Sequence, residues 1–143
     1  MGKDQSVAEH SYNVVLIARV LALSGCSMQD VQLVTSYALV HDADEWYTGD
    51  IPSPFKRDLR AKCPEVTPHL DGELDVPDHV RAIVKLADCL EAIHFAREFG
   101  GSRVMRDEIF DDIHLNFDRN LVKYESVLPN TVIEMAVILR GEL

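Results

Sequence analysis

The chain has no CxxC pair, little basic charge, and no apolar run long enough to cross a bilayer. Each absence excludes something. The three cysteines, Cys26, Cys63 and Cys89, are odd in number and unpaired in spacing. With no secretory signal ahead of the first helix, they read as small core fillers in a reduced, cytoplasmic setting. Only 14 Lys and Arg stand against 24 Asp and Glu, a net charge of −10. Polymeric nucleic acid is therefore not expected as a partner, because phosphate-backbone binding runs on clustered cations. A small phosphorylated ligand stays open, since a bound cation reverses the local field. The longest apolar run, "VVLIARVLAL" from Val14, is broken by Arg19 and too short to span a membrane, so no membrane partner is expected. Internal repeats and low-complexity tracts are missing too.

What is there is an ordinary globular composition, 47% apolar and 27% charged over 143 residues. That is enough chain to bury a core, and a single domain over residues 1–143 is expected. No segment keeps a period of two, whereas helical periodicity recurs throughout. "SVAE" at Ser6–Glu9 is a capping box. After it His10, Val14, Ile17 and Leu21 form one helical stripe that ends near Gly25. Ser27 caps a second helix with Val31, Val34, Ala38 and His41 on its inner face, expected to run to about Tyr47 before Gly49 breaks it. "DIPSP" cannot be regular helix. A short helix at Phe55–Ala61 follows, and then a surface loop rich in Pro and acids. Asp75 or Pro77 opens a strong helix that runs to Gly100-Gly101. Two more are expected, at about Arg106–Tyr124 and Asn130–Arg140. The fold class is all-α, a compact bundle of about five to six helices.

Three ionisable groups fall on apolar stripes: His10, His41 and Asp88, the last sharing its stripe with Val80, Val84 and Phe95. Singly, an inward histidine is more often a hydrogen-bonded core residue, and an inward aspartate a cap or an ion-pair partner. A buried carboxylate is costly unless it is paired or binds a metal. Three such sites on three helices, with Asp42 beside His41 as a fourth, make a mixed N/O set suited to one divalent cation inside a bundle.

These residues resemble a known pattern. "EH" at Glu9-His10, "HD" at His41-Asp42 and "AD" at Ala87-Asp88 look like the H…HD…D signature of the HD-domain metal-dependent phosphohydrolases. The longer string "HDADEWYTGDIPSPFK" resembles the HDxxExxTGDxPxPxK stretch of the HD-domain 5′-deoxynucleotidases and the related deoxynucleoside triphosphate hydrolases. The spacing agrees as well, with about 30 residues from His10 to the HD pair and about 45 more to Asp88. The resemblance covers roughly residues 5–100 and implies the HD-domain helical bundle.

Carried over by position, it implies His10, His41, Asp42 and Asp88 as metal ligands. It implies Glu45 as the acid that handles the attacking water and Asp50 as the contact to deoxyribose. The metal would be one divalent transition ion, Mn, Co, Fe, Zn or Ni. The substrate implied is a small deoxynucleotide, with a reading that leans to a 5′-deoxynucleotidase releasing phosphate from a 5′-monophosphate. The alternatives are a triphosphohydrolase releasing triphosphate and a non-catalytic metal- and nucleotide-binding domain. Relatives are often dimers, so a homodimer is expected.

Helical spacing agrees with the role of Glu45, which stands at i+4 from His41 and i+3 from Asp42. Thr48 could cap a helix or touch a phosphate, and Lys56 could pair with a phosphate or be solvated. Lys85, one turn before Asp88, could reach that carboxylate or a substrate phosphate. Glu91, one turn after it, could support a ligand or simply pair with a cation. Trp46 could wall the pocket or join the core, and Asp44 reads as solvated. His69, His79, His94 and His114 read as structural or solvent-facing. Family members usually carry an Arg-Trp pair ahead of the first motif helix, and the residues before His10 hold none, offering only Lys3. Substrate contacts are then expected from a neighbouring subunit, or from chain preceding a truncated start. The loop from Cys63 to Asp78 is also short for the family.

Overall fold

The computed structural model describes residues 5–42, 61–62, 75–99 and 103–142, without the side chains of residues 99 and 103–109. Five α-helices run through them: α1 (Val7–Leu23), α2 (Met28–Val40), α3 (Asp78–Phe99), α4 (Arg103–Tyr124) and α5 (Asn130–Glu142). A 3-10 turn, Glu125–Val127, joins α4 to α5. There is no strand among the described residues. The all-α reading holds, and the five helices are those of the described residues.

Both predicted caps form. The Ser6 hydroxyl accepts from the Glu9 amide at 3.0 Å, and the Ser27 hydroxyl accepts from the Asp30 amide at 3.2 Å. Each satisfies an amide that a helix start leaves without an intrahelical acceptor. Between α1 and α2 the Cys26 amide returns to the Ala22 carbonyl at 2.8 Å, which closes the first helix where the periodicity places its end.

The end of α2 differs from expectation. The helix stops at Val40, with His41 as its C-cap, instead of running to Tyr47. His41 Nδ1 donates to the Ala38 carbonyl at 2.6 Å. In a continuing helix that carbonyl would take the amide of Asp42, so the imidazole competes with the next backbone bond. The expected short helix near Phe55 falls outside the described residues except at its end, where Ala61 and Lys62 are helical. α4 starts three residues earlier than the apolar pattern suggests, at Arg103.

α3 is the central element and packs against each of the other four helices. Val80, Ile83, Leu86, Leu90 and Ile93 are all completely buried, as is usual for a helix covered on several sides rather than along one stripe. Val14 and Leu21 from α1, Val31, Val34 and Ala38 from α2, Phe117 from α4 and Val132 and Ala136 from α5 complete one apolar core. Cys89 sits in that core and Cys26 at its edge, as expected of thiols used as fillers. Cys63 lies outside the described residues. Burial, followed by the charge of Asp88, pushes the Cys89 thiol up to about 11. The side-chain amides of Asn116 and Asn120 approach its sulfur at 3.5 and 3.7 Å. No described helix is long and apolar enough to cross a membrane.

Gly25 brings the α1–α2 turn close against the start of α5. A Cβ there would collide with Thr131 Oγ1 and stand 3.2 Å from both Pro129 Cβ and Val132 Cγ2. Gly25→Ala is expected to cost about 1–3 kcal/mol through overpacking, read as a lower urea midpoint at unchanged m-value. A midpoint equal to wild type would show that the turn moves aside.

Candidate metal centre

Three helices supply the polar cluster. α1 brings His10, the C-terminal end of α2 brings His41 and Asp42, and α3 brings Asp88 and, one turn on, Glu91. One ligand-type atom from each of His10, His41, Asp42 and Asp88 lies within 4.8 Å of the other three. His10 Nε2 is 2.9 Å from Asp88 Oδ1 and 3.3 Å from Asp42 Oδ2. His41 Nε2 is 3.1 Å from Asp42 Oδ2 and 3.8 Å from Asp88 Oδ1. The two rings are 5.6 Å apart at a tilt of 49°. All four residues singled out from the sequence therefore meet at one point.

The far sides of both imidazoles are fixed. His41 Nδ1 is tied to the Ala38 carbonyl, and His10 Nδ1 is tied to Glu91 Oε2 at 2.8 Å. Both Nε2 atoms consequently face the carboxylates. Pinning one ring nitrogen so that the other presents its lone pair is how protein metal sites set histidine orientation. Glu91 is buried, at 1% exposure, and is further bonded by the Gln5 side-chain amide and by Asn13 Nδ2 at 3.3 Å. Glu91 thus stands against the imidazole of His10, within reach of the first of the two roles left open for it.

The electrostatics couple two imidazoles to three carboxylates. Burial alone would lower the pKa of His10, but the carboxylates of Asp42, Asp88 and Glu91 outweigh it and raise it to about 12. For His41 burial is likewise overcome by Asp42 and Asp88, and the pKa rises to about 10. Burial would raise both Asp42 and Asp88, yet the histidines hold each well below the usual carboxylate range. Glu91 is lowered against its burial chiefly by His10. The two imidazoles and the three acids thus perturb one another through direct contact. His41 Nε2 is also buried without a hydrogen bond of good geometry, despite the closeness of Asp42. An aimed, unsatisfied ring nitrogen beside two carboxylates suits a divalent ion with N/O ligands, so the residues fit the metal that the sequence pattern implies.

Beside the cluster opens a cleft of about 180 Å³, lined by Tyr37, His41, Asp42, Arg81, Val84, Lys85 and Asp88. Lys85 is exposed, and its ammonium lies 3.6 Å from Asp88 Oδ2. Burial would lower its pKa, but Asp88 and the neighbouring charges raise it. Arg81 and Tyr37 were not singled out from the sequence, although spacing held a signal: Tyr37 is one turn before His41, and Arg81 two turns before Asp88. Asn13, one turn after His10, was equally within reach of that reasoning. Glu45, Thr48, Asp50 and Lys56 lie outside the described residues, as do Asp44, Trp46 and His69. His79, read as structural or solvent-facing, pairs through Nε2 with Asp30 Oδ1 at 3.1 Å. His94 is half-buried on α3. His114 stacks on Phe110, its pKa lowered by burial and by Arg97.

Residues 1–66 match the family described as 5′-deoxynucleotidase YfbR-like. Over 121 residues the chain is 36% identical to a dATP triphosphohydrolase of Salmonella phage PMBT28, covering 75% of this chain and 62% of that protein. Over 59 residues it is 37% identical to a 5′-deoxynucleotidase of Shewanella oneidensis, covering 38% of this chain and 30% of that one. A solved structure of the Cyanophage S-2L HD phosphohydrolase (DatZ), bound to dA and one catalytic Zn²⁺ ion, superposes with a TM-score of 0.76. It shares 26% identity and covers 99% of this chain and 84% of that one. Fold, motif order and these likenesses place the chain's similarity in one class, the HD-domain phosphohydrolases. Within it, the similarity lies with the 5′-deoxynucleotidase and dATP triphosphohydrolase members. The chain spans less than two thirds of the length of the curated relatives it matches.

Glu91→Gln removes the negative charge behind His10 and keeps the shape. It is expected to weaken divalent-cation affinity about 10- to 100-fold, measured by calorimetric titration of Mn²⁺ into the ion-free protein. Affinity equal to wild type would show Glu91 to be a packing residue only.

Proposed function

We propose that the protein is a metal-dependent phosphohydrolase of deoxynucleotides, with His10, His41, Asp42 and Asp88 as the ligands of one divalent transition ion. The convergence of two Nε2 atoms and two carboxylates within 4.8 Å is the observation that carries this reading. Mn, Co, Fe, Zn and Ni all suit the donor set, and zinc has the additional support of the structural relative. Such an ion, when bound, lowers the pKa of its water and neutralises charge on a phosphoryl oxygen. Glu91 and the Ala38 carbonyl hold the two imidazoles in the orientation that binding needs. Glu45 is proposed to take the proton of the attacking water as general base, and Asp50 to contact the deoxyribose. Thr48 and Lys56 are proposed on the phosphate side. Water adds to phosphorus as the bond from phosphorus to the 5′ oxygen breaks, and the nucleoside leaves with that oxygen protonated.

Between the two possible phosphate products, the relatives that align with most of the chain favour dATP and release of triphosphate. Removal of phosphate from a 5′-monophosphate is the second reading, favoured by the family match of residues 1–66 and by the Shewanella relative. A single domain, a homodimer and a cytoplasmic location belong to the same proposal, and light scattering of the purified protein tests the dimer.

With several metals and a panel of deoxynucleotides, the expected outcome is tripolyphosphate from dATP, with orthophosphate from dAMP as the outcome of the second reading. No product from either would remove the enzymatic reading in favour of a binding domain. His41→Ala and Asp88→Ala should lose the bound metal by elemental analysis together with activity. Glu45→Ala should keep the metal and lose about 100- to 10,000-fold in kcat, and a loss of metal there would place Glu45 among the ligands instead.

A further inference from the structure

Glu91 is buried, yet both of its oxygens are occupied, and the described partners all come from residues 5–13. Oε2 meets His10 Nδ1 at 2.8 Å. Oε1 accepts from the Gln5 side-chain amide and from Asn13 Nδ2, the latter at 3.3 Å. Asn13 stands one turn after His10 on α1, and Gln5 directly precedes the Ser6 cap. An ionised carboxylate only accepts, so both side-chain amides must turn their NH₂ groups toward it. The two oxygens therefore have separate tasks. One faces the imidazole, and the other is taken by amides that keep the carboxylate from turning.

Neutral donors suit this place better than charged ones. A Lys or Arg at position 13 would form an ion pair with Glu91 and draw its charge away from His10. An amide orients the carboxylate and leaves its charge to the ring. Against the effect of burial, Glu91 is held low first by His10 and then by Gln5, with Asn13 acting in the same direction. Little solvent reaches Glu91 to replace a lost amide, so an emptied Oε1 would leave a buried acceptor without a partner. The His10 ring is clamped between two acids of α3, with Asp88 on Nε2 and Glu91 on Nδ1. A turn of Glu91 about its own side chain would carry the Nδ1 contact with it. How the ring sits in the cluster thus depends on what holds Oε1.

We propose that Asn13 and Gln5 are positioning residues of the metal centre: by occupying Oε1 of Glu91 they fix its Oε2 on His10, and so set how His10 Nε2 is presented to a divalent ion. The proposal rests on the metal-centre reading for the ion and on the Glu91–His10 contact for the rest. Among the described residues, neither Asn13 nor Gln5 is hydrogen-bonded to a ligand directly. The affinity of the centre is thereby tied to a residue that lies ahead of the first helix.

The test pairs calorimetric titration of Mn²⁺ into the ion-free protein with NMR of the His10 Nδ1 proton, observed without metal in protein carrying isotope-labelled histidine. Asn13→Leu and Gln5→Met keep the size of each side chain and remove its donor. Each is expected to weaken Mn²⁺ about 3- to 10-fold, less than the loss of a direct partner of a ligand, and to speed exchange of the Nδ1 proton with solvent. In a Glu91→Met background the same substitutions should change Mn²⁺ affinity by less than about twofold, because residues acting through a third lose their effect without it. The visible absorption of the Co²⁺-loaded single variants should shift, which a loss of stability alone does not produce. Melting temperatures check the fold, and Gln5→Met carries the test if Asn13→Leu fails to fold, since Gln5 lies outside α1. Equal losses with and without the Glu91 carboxylate would show that the amides act by another route and overturn the proposal. So would wild-type Mn²⁺ affinity and wild-type proton exchange in both variants. A wild-type protein that takes up no metal would sink the metal reading. The Nδ1 proton, slow to exchange in wild type and fast in the variants, would then still uphold the positioning of His10, and equal exchange in all three would overturn it.

Discussion

Two carboxylates on a helix that is packed on several sides are the constraint from which the rest of the site follows. Asp88 and Glu91 belong to α3, where Ala87 and Leu90 beside them are wholly buried. Charge placed there needs compensation, because its desolvation is not offset by water. His10 on α1 answers both acids at once, with Nδ1 on Glu91 and Nε2 on Asp88. That double contact sets the depth and rotation of α1 against α3. His41 then enters from α2 on the other side of the same Asp88 oxygen. The polar centre thus helps to orient three helices whose apolar residues supply the driving force for packing.

The HD-domain bundle is therefore more than a frame for a metal. Its helices carry apolar residues on the side of the common core, and the polar cluster sits where three of them end or cross. Phosphoryl transfer asks mostly for positioning and charge neutralisation, with little covalent work by the protein. The relatives differ in how many phosphates they release together, while the chemistry at phosphorus is common to both products.

Much of this was legible in the sequence because it depends on one helix at a time. The caps at Ser6 and Ser27 are local, and so is the stripe that carries His10 with Val14 and Leu21. The four cluster residues stood out because a polar side chain on an apolar stripe is costly without a partner, and the H…HD…D order gave them a common purpose. The end of α2 was not legible, because it depends on the His41 ring taking the Ala38 carbonyl, a competition that helix propensity does not report. Arg81 on Tyr37 and His79 on Asp30 are pairings between α2 and α3. They depend on the register of two helices, which spacing within either one leaves open. Glu91 was half legible: its distance from Asp88 was plain, but its partner on α1 was 81 residues away.

The two histidines of the centre are held by different kinds of anchor. His10 leans on a side chain, whereas His41 leans on a main-chain carbonyl, a group that every amino acid possesses. Substitution at position 38 can change the packing beneath His41 but cannot delete the acceptor that aims it. Genetic variation therefore has a handle on one imidazole and scarcely any on the other. Over evolutionary time the temperament of the centre can drift through Glu91, while the His41 side stays as the helix end made it.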